Sequence, residues 1–507
     1  MLVLDGAPLS IEDVLRVTRG DEPVAIADSV RARMRPARDV VERIDEADAV
    51  VYGITTGFGA LADRAIGARD RAALQRSVVL SHAAGMGPPL PAEVVRGMLL
   101  LRARTLAAGM SGVRYELLEA LVALLNSGLV PVVPAHGSLG ASGDLAQLAH
   151  AAAVLLGEGT VFDGDQVVSA GEALERRGLD VWHVGPKEGL ALINGTDAMA
   201  TLLALAVRDA GELLCIADCA CAMSLEALLG TTAAFDERVV SLRASPGQAA
   251  SAANLRGLLA RSPLVASHRA SHHAIQDAYS LRCAPQVHGA ARDALDFCRQ
   301  VVDRELATIV DNPVVVGDDV ISAGNFHGQA LAYAADLVAS VCADIAAISE
   351  RRVDRLLDPA RSRGLPPFLS PDPGLNSGFM IAQYTAAAVV AALRAAAAPL
   401  AVQSASTSAG QEDHVSMGYE AALRTRESVD GLRRVLTVEL VCAAQALELR
   451  APLRPAPATA ALVRAIRERA GALQRDRILA PELAAIEQWL RDERWRDALS
   501  GAIDELR

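Results

Sequence analysis

The stretch GSLGASGDLAQLAH, residues 137–150, holds Ala141, Ser142 and Gly143, three of the smallest residues, between further glycines. A tight turn feeding a helix that begins near Asp144, capped by Ser142 or Asp144, would account for it. A phosphate-cradling loop is disfavoured, because there is no Gly-Lys-Ser/Thr ending and no G-x-G-x-x-G fingerprint. The backbone offers sharper chemistry. If the nitrogen of Gly143 attacks the carbonyl carbon of Ala141, a five-membered ring closes, and only glycine leaves that nitrogen unhindered. Loss of the Ser142 hydroxyl as water then gives a methylidene-imidazolone, an alkene conjugated to a carbonyl and hence a strong electrophile that needs no external cofactor.

Such a group must be held by a rigid frame, and the composition says which kind. Hydrophobic residues make up 51% of the 507 residues but aromatics only 3%, so the apolar content is alanine, leucine and valine, which favours closely packed helices. Glycine and proline punctuate the first third, whereas residues 290–312, 329–358 and 379–398 contain neither. The expected fold is therefore mainly α: a loop-rich helical region over 1–200 that carries the electrophile, a central bundle of long helices over 201–451, and an outer helical layer over 452–507. Helices near thirty residues are rods of roughly 45 Å. Their faces are short of charge, as in AYAADLVASVCADIAAIS, which predicts burial against other copies of the chain. The alanine-rich run from Phe379, interrupted by Arg394 and Pro399, predicts a buried helix rather than a membrane span.

A formal net charge of −12 with no basic tract excludes nucleic acid and anionic membrane as expected partners and favours a small molecule. The N-terminal segment is acidic where a signal peptide would be basic, and the seven cysteines are scattered, so a reducing, cytoplasmic setting is expected. Cys219 and Cys221 point to different faces of an apolar helix. His268, His272 and His273 lack the glutamate that a helical zinc-protease motif places after its first histidine, so no metal is expected there.

With its neighbours, the loop resembles that of the aromatic amino acid ammonia-lyase family, the histidine and phenylalanine ammonia-lyases, whose Ala-Ser-Gly cyclises autocatalytically. Seven further segments resemble the family in order: VYGITTGFG from Val51, LSHAAGMG from Leu80, LINGTDAM from Leu192, IQDAYSLRCAPQV from Ile275, AGNFHG from Ala323, GLNSGFMIAQ from Gly374 and QEDHVSMG from Gln411. The resemblance implies removal of ammonia from an amino acid by a methylidene-imidazolone enzyme, and the low charge of the long helices, with the matching motifs dispersed from Tyr52 to Glu412, predicts a homotetramer whose sites borrow residues from more than one subunit.

By the same resemblance Tyr52 matches the base that takes the β-proton, and a tyrosine serving near neutral pH needs its pKa lowered. Arg282 matches the residue that grips the substrate carboxylate, Tyr279 a second active-site tyrosine, and Asn194 the asparagine near electrophile and substrate. Phe326 and Asp144 match residues that shape or promote ring closure, and both also suit ordinary structural roles. His82, preceded by Ser81, and Glu412 match the members that act on histidine, which implies deamination of L-histidine to trans-urocanate. A carboxylate and a polar partner suit the two nitrogens of an imidazole. A lyase or 2,3-aminomutase for another aromatic or imidazole amino acid is the alternative, and a non-catalytic binding or assembly protein is the alternative of a different class. Gln147, where the histidine enzymes commonly carry proline, and residues 391–411 depart from the family pattern.

Overall fold

The computed structural model describes residues 1–269, 276–503 and 506–507. Helices dominate, as the alanine-rich composition predicts, and strands are few and short. Helix starts follow local chemistry. The Ser10 hydroxyl accepts from the Asp13 N–H at 3.1 Å while the Asp13 carboxylate accepts from the Ser10 N–H at 3.0 Å, and this reciprocal pair opens the helix Ile11–Thr18.

The chain divides into two compact units. The first comprises Met1–Leu205, Arg299–Asp336 and Pro399–Arg426. Four small sheets belong to it, among them the antiparallel pair of Met86–Pro89 with Pro134–His136. At its centre the helix Arg71–His82 packs on Leu145–Leu155 and on the short Glu188–Ile193, and these last two also pack on each other. Two ion pairs are buried here. Lys187 donates to both carboxylate oxygens of Asp311 at 2.9 Å, and the Arg102 guanidinium binds Asp197 while donating to the carbonyls of Ala191 at 3.0 Å, Asn194 at 3.1 Å and Val310 at 3.2 Å. With its donors satisfied in this way, a buried charge can be tolerated.

The second unit comprises Ala206–Cys298, Leu337–Ala398 and Glu427–Arg507. Its material is mostly long helix: Asp197–Ala227 has 31 residues, Ala284–Ala307 24, Gln329–Leu357 29 and Gly418–Glu448 31, each placing part of its length in this unit. Two helical segments, Glu188–Ala227 and Gln329–Leu357, are long and apolar enough to cross a membrane, and their most apolar windows are 100% and 61% buried within the chain, as core helices are. The helix Met380–Ala396 departs from the expectation of full burial. It hides the stripe Ala382, Ala386, Val390 and Leu393 and leaves Ile381 and Tyr384 61% and 62% exposed. Alanine at most positions gives it no marked polar face, so composition alone does not reveal which side is covered. Cys219 and Cys221 are both buried, and burial pushes the Cys221 thiol up to about 12, which makes both inert.

One carboxylate joins three of the long helices. Glu439 Oε1 accepts from Arg352 Nε at 2.5 Å and from Ser224 Oγ at 2.7 Å, and Oε2 accepts from Arg352 Nη2 at 2.8 Å and Ser349 Oγ at 2.6 Å, with Arg352 and Glu439 both fully buried. Arg352 Nη1 also donates to the carbonyl of Ser280, in the helical turn Tyr279–Arg282. Arg352→Leu leaves Glu439 as an uncompensated buried charge and should cost about 3–5 kcal/mol. The double change Arg352→Leu with Glu439→Leu should recover most of that loss in urea denaturation, and equal losses for single and double variants would contradict the assignment.

Candidate active site

The first unit contains a cavity of about 850 Å³ whose wall includes Tyr52, His82, Ala141, Ser142, Asn194, Phe326 and Glu412. Seven candidate residues, drawn from six separate segments of sequence, thus meet in one place. The loop that leads into Leu145–Leu155 is threaded at unusually close quarters. Gly143 has φ +77°, and a Cβ there would lie 2.2 Å from the Gly195 carbonyl oxygen, so glycine is required both by conformation and by space. The next residue's N–H, that of Asp144, donates to the same Gly195 oxygen at 2.6 Å. Ser138 Oγ donates to the Gly143 carbonyl at 2.9 Å, and Ser416 Oγ to the Gly140 carbonyl at 2.8 Å.

Ser142 Oγ donates to Glu412 Oε1 at 2.8 Å, and Glu412 Oε2 accepts from Thr407 Oγ1 at 2.9 Å. The sequence placed Glu412 opposite the substrate. It did not reveal that the same carboxylate holds the hydroxyl of the central serine. Asn194 ends the helix Glu188–Ile193 and is 3% exposed; its Nδ2 donates to the Asn312 carbonyl at 3.3 Å, and its buried Oδ1 has no partner among the described residues.

Asp144 is fully buried and caps a helix other than its own. Its side chain makes no bond to the helix Leu145–Leu155, whereas Oδ2 accepts from the N–H groups of Ala198 at 2.8 Å and Met199 at 3.0 Å, in the first turn of Asp197–Ala227. Burial pushes its carboxyl well above the usual carboxylate range, and the charges of Asp197 and Glu305 add to this, while the two N–H donors pull the other way. Phe326 is half-buried on the cavity wall rather than in the core. Tyr52 meets Phe58 edge to face, with ring centroids 6.5 Å apart. The base role calls for a lowered phenol pKa, but within the chain the shift runs upward. Burial raises it and the charge of Glu412 adds, against a hydrogen bond with the Gly59 backbone.

Tyr279 and Arg282 belong to the second unit and are not among the lining residues. Tyr279 is 69% exposed, and Arg282 lies over its ring at 4.6 Å and donates to Gln276 Oε1 at 2.9 Å. Among the described residues no lysine or arginine lines the cavity.

Two lining histidines carry no role in the sequence reading. His327 and His414 stack with ring centroids 5.9 Å apart, and His327 Nε2 donates to the His414 carbonyl at 3.2 Å. Both sit inside recognised motifs, AGNFHG and QEDHVSMG, so residue type was the available signal. Gln147, one of the departures, is buried and donates to the carbonyls of Pro134 at 3.3 Å and Ala135 at 3.4 Å, away from the cavity wall. Of the histidine cluster, His272 and His273 lie outside the described residues, and the His268 ring is hydrogen-bonded to the Gly230 carbonyl at 2.9 Å. Among the described residues no three His, Cys, Asp or Glu side chains stand together as a metal site.

Residues 9–468 match the family model for aromatic amino acid lyases. The chain is 50% identical over 496 residues to a histidine ammonia-lyase of Anaeromyxobacter sp. (strain K), covering 96% of this chain and 97% of that one. Among solved structures it superposes on histidine ammonia-lyase from Trypanosoma cruzi with a TM-score of 0.91 at 36% identity, covering 99% of this chain and 96% of that one. It superposes on tyrosine aminomutase from Streptomyces globisporus with a TM-score of 0.93 at 35% identity, covering 100% of both chains. The chain belongs to the aromatic amino acid lyase family. It is therefore an enzyme of the lyase class, with the mainly helical fold that its sequence predicts.

Because the folded state holds the Asp144 proton more tightly than the unfolded chain, stability falls as pH rises above the unfolded carboxyl value, by at most about 1.4 kcal/mol per pH unit, until the folded group itself ionises. Asp144→Asn keeps an acceptor for the Ala198 and Met199 N–H groups and removes this loss. The stability of the variant relative to the parent should therefore increase as pH rises above the unfolded carboxyl value in thermal denaturation. A difference independent of pH would show that Asp144 is ionised throughout.

Proposed function

We propose that the chain deaminates L-histidine to trans-urocanate and ammonia at this cavity, using a methylidene-imidazolone made from Ala141, Ser142 and Gly143. The observation that carries the reading is the hydrogen bond from Ser142 to Glu412 in a cavity also lined by His82 and Asn194. The residues fit the group. Gly143 presents a backbone nitrogen with no side chain beside it, and the Ser142 hydroxyl that must leave as water is held by a carboxylate able to accept or return a proton. Once formed, the group supplies an electrophile that makes the α-amine a better leaving group.

The remaining roles fall to side chains. Loss of the Ser142 hydroxyl frees Glu412 Oε1, which then becomes an acceptor for an imidazole N–H, so formation of the electrophile and creation of the substrate pocket are one event. His82, at the end of Arg71–His82, supplies a second polar group to the same wall. The unpartnered Oδ1 of Asn194 is an acceptor for the substrate amine. Tyr52 takes the β-proton. Burial and Glu412 both work against its ionisation, so a cation must join it, and the substrate carboxylate needs one too. Arg282, with the exposed Tyr279 beside it, answers both needs when a second copy of the chain brings its Tyr279–Arg282 turn to the cavity. This supports a homotetramer with shared sites, acting on a free amino acid in the cytoplasm.

Three measurements test the reading. The intact mass should lie two waters below that of the encoded chain, one lost as the ring closes at the Ala141 carbonyl and one from the Ser142 hydroxyl, and Ser142→Ala should abolish activity and restore one water; an active enzyme of unmodified mass would refute the electrophile. Urocanate should form from L-histidine far faster than cinnamate from L-phenylalanine. A phenyl ring leaves His82 and Glu412 unpaired at about 1–3 kcal/mol per group, roughly tenfold to a hundredfold each. Glu412→Gln, and Ser81→Phe with His82→Leu, should both erode that preference, and unchanged histidine turnover in the double variant would overturn the pocket assignment. Finally, Tyr52→Phe and Arg282→Ala should each be nearly inactive alone, yet partly restore one another when refolded together. Failure to complement, or a fully active monomer by light scattering, would refute site sharing.

A further inference from the structure

We infer that Gln75 is a positioning residue for the reaction, a buried amide that sets the distance between Tyr52, Asn194 and His82. The inference rests on the functional reading above. Gln75 lies in the helix Arg71–His82, seven residues before His82, and is fully buried. Its Nε2 donates to the carbonyl of Gly53, the residue after Tyr52, at 3.2 Å, and its Oε1 accepts from the N–H of Leu190 at 3.1 Å, in the helix Glu188–Ile193 that ends at Asn194. One side chain thus spans three segments, each carrying a residue of the cavity wall.

The surroundings are built to admit this bridge. A Cβ on Gly189 would lie 2.1 Å from the Gln75 carbonyl oxygen, so the Glu188–Ile193 helix approaches the Arg71–His82 helix as closely as backbone allows. Gly53 has φ +77°, and a Cβ there would lie 2.8 Å from both the Leu190 side chain and the Pro313 ring. Gln75 hydrogen-bonds both segments from its own helix, and an apolar replacement strands a buried acceptor on Gly53 and a buried donor on Leu190. A shift of about an ångström between base and amine acceptor is enough to cost on the order of a hundredfold in rate without disturbing substrate affinity to the same degree.

The test compares Gln75→Met, which keeps the length and loses both hydrogen bonds, with Val79→Ala, which removes buried volume from the same helix and leaves both hydrogen-bonding groups of Gln75 in place. Gln75→Met should lower kcat for urocanate formation ten- to a hundredfold with KM changed less than threefold. It should also speed amide hydrogen exchange at Leu190, with wild-type mass deficit and a thermal midpoint no lower than that of Val79→Ala. Should Gln75→Met fail to fold, Gln75→Asn keeps an amide too short to bridge both partners and is judged by the same comparison. Equal kcat and equal Leu190 exchange in the Gln75 and Val79 variants would overturn the inference. If the wild type forms no urocanate, the substrate reading fails on its own, and the exchange comparison, which needs no substrate, still decides for or against Gln75.

Discussion

The contact between Gly143 and Gly195 governs the geometry of the site. Two backbone segments about fifty residues apart in sequence meet with no room for a side chain on either. Gly195 is crowded as well, by side chains rather than backbone, since a Cβ there would lie 1.5 Å from Arg102 Nη2. The Asp144 N–H bonds to the Gly195 carbonyl, and the Asp144 carboxyl seizes the first turn of Asp197–Ala227. The guanidinium of Arg102 closes the arrangement from behind, holding Asp197 and three carbonyls around Asn194. A loop of small residues, which would otherwise be free to sample many conformations, is thereby locked where its backbone can react.

Charge is handled unevenly across the molecule, and the difference separates framework from site. Three buried framework pairs are matched in charge: Lys187 to Asp311, Arg102 to Asp197 and Arg352 to Glu439, and Arg102 and the Arg352–Glu439 pair make further hydrogen bonds with neighbouring carbonyls or hydroxyls. At the cavity the opposite holds. Among the described residues Asn194 Oδ1 is buried without a partner, Tyr52 stands beside a carboxylate rather than a cation, and two histidines stack against each other. Unsatisfied groups that would be defects in a core are what a substrate amine, carboxylate and imidazole can satisfy.

The exposed parts of the second unit point the same way. Ile381 and Tyr384 on the alanine-rich helix, and Tyr279 beside Arg282, are large side chains left open in a single chain. Tyr279 and Arg282 sit in a helical turn whose Ser280 carbonyl is held by Arg352, itself locked to Glu439. The turn is therefore anchored to the long helices.

Much of this was legible in the sequence, and the reason is chemical. Ala-Ser-Gly admits ring closure because of residue type alone, and Tyr52, Asn194, Phe326 and Glu412 sit in short motifs that resemble those of the aromatic amino acid lyase family. The helical fold followed from alanine and leucine content, since propensity and packing size are properties of residues. What distance along the chain conceals is which atoms meet. Glu412 and Ser142 are 270 residues apart, and nothing local says that the carboxylate grips the hydroxyl rather than waiting for substrate. Asp144 looks like the cap of its own helix, yet it caps another that starts more than fifty residues later. Gln75 carries no local signal at all, being one amide in an ordinary helix, and the upward shift of Tyr52 depends on burial and on a charge from a distant loop. Hydrogen bonds and desolvation depend on separations of a few ångströms, and only the tertiary structure sets those.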